Sequence, residues 1–141
     1  MAAIAGFGAA AEHAVGISGL VHLRDRFEDA VRALAPDVVI FAGDSERLPN
    51  TSNFAIPGLR AETVLIALDL DGVALSSGAA CSSGKVRSSH VLATMGVDES
   101  LARCGLRLSL GWSSSESDIE AALAALKRLL ARKARLISAA A

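Results

Sequence analysis

The pattern of apolar and polar residues along the chain predicts helices that alternate with short strands. Apolar residues at helical spacing extend from residue 2 to about residue 34, with a glycine-containing break at residues 16–19. Short apolar or alternating runs that end at Gly, Pro or Asp predict strands. The predicted strands span residues 38–41, 51–56, 73–75 and 105–110, and further helices span residues 61–70, 89–95 and 113 onward.

The last predicted helix has the clearest pattern. Ser113 and Glu116 have the spacing of a capping box at its start. One apolar stripe follows, and positive charge is concentrated late in the helix, which suits the negative end of its dipole. The apolar stripe consists of Ile119, Leu123, Leu126, Leu130 and Ile137.

The order of these elements predicts an α/β sandwich, a small mixed or antiparallel sheet with helices packed on it. A length of 141 residues fits one domain with a modest core. Hydrophobic residues make up 52% of the chain, so we expect part of the apolar surface to contact a partner.

Composition and charge argue against several functions. A net charge of −1 argues against a nucleic-acid surface. Every apolar segment is shorter than the roughly 18 residues of a membrane span, and no secretory-leader pattern is present, so we expect a cytoplasmic protein. Cys81 and Cys104 form neither a CxxC pair nor a metal-ligand cluster, which favours a reducing compartment.

Cys81 lies within a run of small residues, SSGAACSSGK. Gly and Ser favour irregular backbone, and no apolar period is present to bury the thiol. Lys85, Arg87 and His90 follow within nine residues, and nearby positive charge lowers the pKa of a thiol and makes it more nucleophilic. The alternative interpretation is an unreactive surface cysteine in a loop. For His90, the alternative is a packing or capping role at the start of a short helix.

The same run does not match a phosphate-binding loop. Five residues separate Gly78 from Gly84 where that motif has four. Val86 also stands where a magnesium-binding Ser or Thr is required. We therefore exclude a nucleotide-binding loop of this type.

Arg107 is the second candidate for chemistry. In a strand, Leu106, Leu108 and Leu110 alternate with Arg107 and Ser109, so the guanidinium projects from the face opposite to the leucines. Such an arginine could bind a carboxylate through two parallel hydrogen bonds. The alternative is a solvated arginine on a half-exposed strand.

The segment SSGAACSSGKVRSSHVLATMG, residues 76–96, resembles the catalytic-cysteine loop of the pyridoxal-phosphate-dependent cysteine desulfurases. The resemblance is to the long-loop group of nitrogen-fixation and iron–sulfur-cluster enzymes. It extends over nearly all of the chain, in the family's order and spacing. The further similar segments are residues 4–10, 47–53, 61–68 and 106–111.

This resemblance implies the small carboxyl-terminal domain of the type I aminotransferase fold, in the class V superfamily. Residues 1–34 would be the connector helix from a large domain absent from this chain. Residues 35–141 would form the small α/β domain, with a mobile catalytic loop at about residues 76–88.

The family's Schiff-base lysine has no match. The lysines are Lys85, Lys127 and Lys133, one in the thiol segment and two in the last helix. We therefore expect a carboxyl-terminal piece of the enzyme that is inactive alone: a truncated gene product, a fragment made for expression or half of a split enzyme.

The resemblance also implies a reaction. Pyridoxal 5'-phosphate on the large domain would activate L-cysteine, Arg107 would bind its carboxylate, and the thiolate of Cys81 would take the sulfur as a persulfide, leaving L-alanine. An iron–sulfur scaffold or another acceptor would then receive the sulfur. The family forms homodimers. The alternative function is a non-catalytic sulfur carrier or an inactive remnant.

Other positions receive weaker assignments. We expect Asn50 and Asn53 to shape the turn and strand before the helix predicted at residues 61–70, although either could face the cofactor side of an assembled enzyme. Cys104 is interpreted as a small buried hydrophobic residue. Trp112 stands where some relatives have arginine, and its role is left open.

Overall fold

Six α-helices and four strands occur in residues 2–12, 16–77 and 89–139, the parts of the chain that this computed structural model describes. The helices are α1 (Ala2–Glu12), α2 (Val21–Leu34), α3 (Ala61–Leu70), α4 (His90–Thr94), α5 (Glu99–Ala102) and α6 (Glu116–Ala139). The strands are β1 (Val39–Ile40), β2 (Thr51–Ala55), β3 (Ser76–Ser77) and β4 (Gly105–Ser109). A short 3-10 helix, Ser18–Leu20, leads directly into α2.

The four strands form one sheet in the order β1-β2-β4-β3, in which every neighbouring pair is antiparallel. The long central pair aligns Thr51 with Ser109 and Ala55 with Gly105. The antiparallel alternative of the predicted α/β sandwich is therefore confirmed.

The main core lies between one face of the sheet and helices α2, α3 and α6. From the sheet, Phe54, Leu106 and Leu108 enter this core. Phe54 meets Phe27 of α2 edge to face, with ring centroids 5.4 Å apart and an interplanar angle of 65°. Alternate residues of β2 and β4 thus pack into the core from one face of the sheet, as the two-residue period of a strand requires.

A smaller apolar cluster covers one end of the opposite face. It contains Ala55 of β2 and Leu92 of α4, together with Phe41, Ala102 and Cys104. Gly105 allows this close approach, because a Cβ there would lie 3.0 Å from the Leu92 side chain and 3.1 Å from the Ala102 carbonyl oxygen. The rest of that face lies outside both clusters.

A buried ion pair joins α2 to the segment before β2. Arg47 donates two hydrogen bonds to the Glu28 carboxylate, at 2.6 and 3.1 Å. Glu28 is buried. Burial acts to raise the pKa of its carboxyl, but the hydrogen bonds and charge of Arg47, with the charge of Arg32, outweigh that effect and lower the pKa.

Several predicted elements agree with the structure. The helix at residues 61–70 has the predicted bounds, and the strands predicted at 51–56 and 105–110 each end one residue earlier. The brief helix predicted at residues 89–95 is α4, and Gly96 follows it with a φ of +77°. That value lies in the left-handed region, where glycine costs least.

Two local predictions were wrong, and one element was missed. The strand expected at residues 73–75 is instead Ser76–Ser77, where the chain pairs with β4. The helix α5 was not predicted. At the start of α6 the capping pair is Ser115 and Asp118, since the Ser115 N–H and hydroxyl donate to the Asp118 carboxylate at 2.8 and 2.9 Å. Ser113 and Glu116 do not form the predicted box, because the helix begins two residues later than their spacing implied.

The two helices of residues 1–34 differ in their environment. No residue of α1 is buried, and Ile4 and Phe7 are exposed. By contrast, α2 contributes Leu23, Phe27 and Val31 to the main core. The division into a connector before residue 35 and a domain after it stays a prediction.

Replacing Arg47 with alanine should destabilise the chain by about 3–5 kcal/mol at neutral pH, because the buried Glu28 carboxylate would lose both hydrogen bonds and keep only Arg32, 3.6 Å away. The pKa of Glu28 in the folded state lies below the ordinary 4.5. The ion pair's contribution to the free energy of unfolding is therefore complete at pH values above 4.5, and it is lost as the pH falls below that value. Urea unfolding at neutral pH and at a pH below 4.5 measures both effects.

The control for this prediction is Arg60→Ala, which removes an exposed pair with Glu62 and should cost less than about 1 kcal/mol. Equal losses for the two variants would contradict the burial argument.

Leu106→Ala should lower the free energy of unfolding by about 2–5 kcal/mol, because it leaves a cavity in the main core. Leu106 is 0% exposed, whereas Leu70 is 82% exposed. The matched change Leu70→Ala should therefore stay within about 0.5 kcal/mol of the unmodified chain. Denaturant titration of both variants tests the assignment of the buried face, which is wrong if the two substitutions cost the same.

Candidate functional site

A row of polar side chains lies on the side of the sheet opposite the main core. The strand register places Asn53 of β2 and Ser76 of β3 directly across from Arg107 of β4, and it places Thr51 across from Ser109. Directly opposed residues in antiparallel strands project from the same face. These five residues, here called the polar face, therefore form one continuous surface.

Arg107 is exposed at the centre of the polar face, while Leu106, Leu108 and Leu110 are buried. The predicted alternation along this strand is therefore confirmed. Within the described parts of the chain, the Arg107 guanidinium makes no hydrogen bond or ion pair. Its five N–H donors are available for a planar anion such as a carboxylate.

Several other arginines have carboxylate partners. Arg103, four residues before Arg107, pairs with Glu99 at 2.5 Å, and Arg60 pairs with Glu62 at 3.2 Å. The same holds for Arg24, Arg26, Arg32, Arg47 and Arg128. Arg60 and Arg103 also line a shallow cleft of about 500 Å³ with Cys104, but their charges are compensated there. Uncompensated positive charge therefore distinguishes Arg107 from these arginines.

Asn50 and Asn53 have different environments, although both lie at or next to β2. Asn50 donates from Nδ2 to the Leu110 carbonyl oxygen at 2.9 Å and so holds the start of β2 to the end of β4. This agrees with the predicted turn-shaping role. The Asn53 Oδ1 atom is buried and has no hydrogen-bond partner among the described residues. Period-two alternation placed Asn53 beside polar neighbours, but nothing local indicated that it faces Arg107.

The predicted nucleophile, Cys81, lies outside the described residues, as do Lys85 and Arg87. The flanking residues are described. Ser77 pairs with Leu106 at the end of β3, and the buried Ser89 caps α4 by accepting a hydrogen bond from the Leu92 N–H at 3.4 Å. The thiol-containing segment therefore joins the strand beside Arg107 to the helix that covers the other end of the same face.

His90 is the first residue of α4 and is exposed. Ser89 supplies the cap of this helix, so the imidazole is not needed for that role.

Cys104 is only 4% exposed, and its thiol donates a weak hydrogen bond to the Ser100 carbonyl oxygen at 3.4 Å. The prediction that Cys104 acts as a small buried hydrophobic residue is confirmed. Trp112 is 80% exposed.

The described residues do not supply a Schiff-base site for pyridoxal phosphate. Their two lysines, Lys127 and Lys133, lie on α6, which packs against the core side of the sheet. The guanidinium of Arg107 projects from the other side, so neither lysine shares its face. Among the described parts of the chain, no cluster of three metal-ligating side chains occurs, and no helix has the length and apolarity needed to cross a membrane.

Comparison with solved structures finds the same architecture. A NifS-like protein from Rickettsia africae ESF-5 superposes with a TM-score of 0.68 and 34% sequence identity, over 77% of this chain and 27% of that protein. The fold class assigned above is therefore that of NifS-like proteins.

Known sequences agree with this similarity. An IscS-like cysteine desulfurase from Mycobacterium tuberculosis is 43% identical over 120 residues, which cover 84% of this chain and 30% of that protein. Cysteine desulfurase IscS of Dictyoglomus turgidum is 38% identical over 98% of this chain and 36% of its own length. The chain thus spans about a third of the length of these relatives.

The family model described as aminotransferase class-V matches residues 1–122. This match covers most of the chain and includes every residue of the polar face. The chain therefore belongs to the class-V aminotransferase family.

Proposed function

We propose that this chain supplies the sulfur-accepting thiol and the carboxylate-binding arginine of a pyridoxal-phosphate-dependent cysteine desulfurase. The observation that carries the proposal is the guanidinium of Arg107, which lies on the polar face and has no partner among the described residues. It is next to the strand that leads into the segment containing Cys81. The similarity to proteins named cysteine desulfurase supports the choice of reaction.

Arg107 binds the α-carboxylate of L-cysteine in this proposal. A guanidinium presents parallel N–H donors that match the two oxygens of a carboxylate, and two such bonds fix the orientation of the substrate as well as its position. Because Leu106 and Leu108 are buried in the core, packing fixes the position of the strand that carries Arg107. Substrate binding therefore needs little reorganisation of the backbone.

Cys81 is the nucleophile. Its thiolate attacks the sulfur of L-cysteine and forms the S–S bond of a persulfide, while the substrate's C–S bond breaks and leaves its electron pair on carbon. That carbon takes up a proton and becomes the methyl group of L-alanine. Lys85, Arg87 and His90 support the thiolate through nearby positive charge.

Pyridoxal phosphate belongs to a part of the enzyme outside the described residues, consistent with the positions of Lys127 and Lys133. In the proposed enzyme, residues 1–34 connect that cofactor-binding region to residues 35–141, and two copies associate as a homodimer. The persulfide sulfur passes to an iron–sulfur scaffold or another acceptor.

Cys81→Ser should abolish persulfide formation on this chain when it is combined with the family's cofactor-binding region, pyridoxal phosphate and L-cysteine. The serine hydroxyl cannot form the S–S bond that holds the sulfur. Mass spectrometry of the chain after alkylation detects the extra sulfur atom, and sulfide release measures turnover. Cys104→Ala is the matched control and should retain the persulfide, because that thiol is buried.

Sulfur retained on the Cys81→Ser chain would show that the thiol is wrongly assigned. If the unmodified chain takes up sulfur from a persulfide donor but takes up none from L-cysteine in the presence of the cofactor-binding region, a sulfur carrier replaces the desulfurase as the better function.

Arg107→Ala should raise KM for L-cysteine by about 10- to 100-fold, because the lost hydrogen bonds join charged groups. Arg107→Lys should fall between the alanine variant and the unmodified enzyme, since it keeps the charge but not the paired donors. Steady-state kinetics measures both KM values on the combined enzyme, that is, this chain together with the family's cofactor-binding region and pyridoxal phosphate. The control is Arg103→Ala, whose arginine is already paired with Glu99. A similar rise in KM for the control would indicate a general effect of positive charge.

A further inference from the structure

Asn53 and Arg107 form the type of antiparallel cross-strand pair in which the two side chains lie close together. The backbone oxygen of Asn53 accepts a hydrogen bond from the Phe41 N–H at 2.8 Å, so the backbone groups of residue 53 point toward the β1 side of the sheet. They cannot also bond β4, which makes Asn53 and Arg107 a non-hydrogen-bonded pair. In such pairs the side chains lie nearest, with Cβ atoms about 4.5–5.5 Å apart.

The Asn53 amide oxygen lacks a hydrogen bond that its burial calls for. Oδ1 is buried and unpartnered within the described residues. A buried acceptor in this state is destabilising, and native structures leave few of them. The neighbouring Thr51 hydroxyl already donates to Asn50 Oδ1, at 3.4 Å. The Thr51 hydroxyl is therefore already engaged, and the other donors of the polar face are the nearest candidates for Asn53.

Arg107 is the donor that best fits this requirement. It lies directly across from Asn53, it carries five N–H groups, and none of them has a partner among the described residues. The opposite residue on β3, Ser76, forms the hydrogen-bonded type of pair with Arg107, so its side chain lies farther away. A long arginine side chain can also turn toward Asn53 without moving the strand.

We propose that Asn53 is a positioning residue that accepts an N–H from Arg107 and orients the guanidinium so that its remaining N–H donors face the substrate carboxylate. This inference rests on the proposed function of Arg107. Asn53 itself does not touch the substrate; it reduces the number of orientations that Arg107 can adopt and so lowers the entropic cost of binding.

The test is a double-mutant cycle on the combined enzyme. Asn53→Leu removes the acceptor while keeping the number and branching of the side-chain heavy atoms. It should raise KM for L-cysteine about tenfold, with kcat changed less than about twofold. In the Arg107→Ala background the same substitution should have no further effect on KM, since the group it orients is gone. The control Asn50→Leu breaks the bond to Leu110 and should lower stability without raising KM.

A second readout uses the 141-residue chain alone. Hydrogen exchange of the Arg107 side-chain N–H groups, followed by NMR in the presence of acetate, should be faster in Asn53→Leu than in the unmodified chain. The inference is overturned if exchange is unchanged, or if Asn53→Leu raises KM equally with and without Arg107. Failure of the proposed function has a different signature: Arg107→Ala leaves KM unchanged, while the exchange measurement still decides whether Asn53 holds Arg107.

Discussion

The two-residue period of the central strands is the constraint on which the rest of this molecule depends. In β4, Leu106 and Leu108 are held in the main core by helices α2, α3 and α6, so Arg107 between them has to face the other way. A register shift of one residue would bury the guanidinium and expose both leucines. The packing that stabilises the fold is thus the same packing that presents the candidate anion-binding group.

The second central strand is positioned by polar contacts as well as by packing. Glu28 holds Arg47 through two hydrogen bonds, and Arg24 donates to the Leu48 carbonyl oxygen at 2.8 Å. Both contacts fasten the segment before β2 to the helix α2. A buried carboxylate is tolerated here because its partner is fixed by two bonds. Since Asn53 follows a few residues later, the placement of the polar face depends on this attachment.

Some arginines of the molecule form ion pairs between helices, whereas Arg107 forms none among the described residues. Arg26 bridges Glu116 and Glu120 and so joins α2 to α6, while Arg128 joins α6 to Asp71 after α3. These arginines serve the packing of helices. Arg107 and the Asn53 amide oxygen, by contrast, lack partners among the described residues, and they face each other. A cation and a buried acceptor that face each other without described partners indicate a binding site on the polar face.

The sequence alone determined the class of fold and the candidate chemistry, because both depend on local patterns. Helical and alternating periods located most elements, and the alternation around Arg107 showed which way it would face. The small-residue run with Cys81, and its resemblance to a family loop, indicated a thiol reaction. The position of Cys81 relative to Arg107 stays a prediction, since residues 78–88 lie outside the described parts.

The tertiary structure alone decided what depends on contacts between distant segments. The strand β3 exists only where Ser76 and Ser77 pair with β4, so an apolar run at residues 73–75 misplaced it. The facing of Asn53 and Arg107 depends on the register of two strands that lie far apart in the sequence, which no local period encodes. Likewise, the Asn53 amide oxygen is buried without a partner among the described residues, and burial is a property of the assembled sheet rather than of the residue.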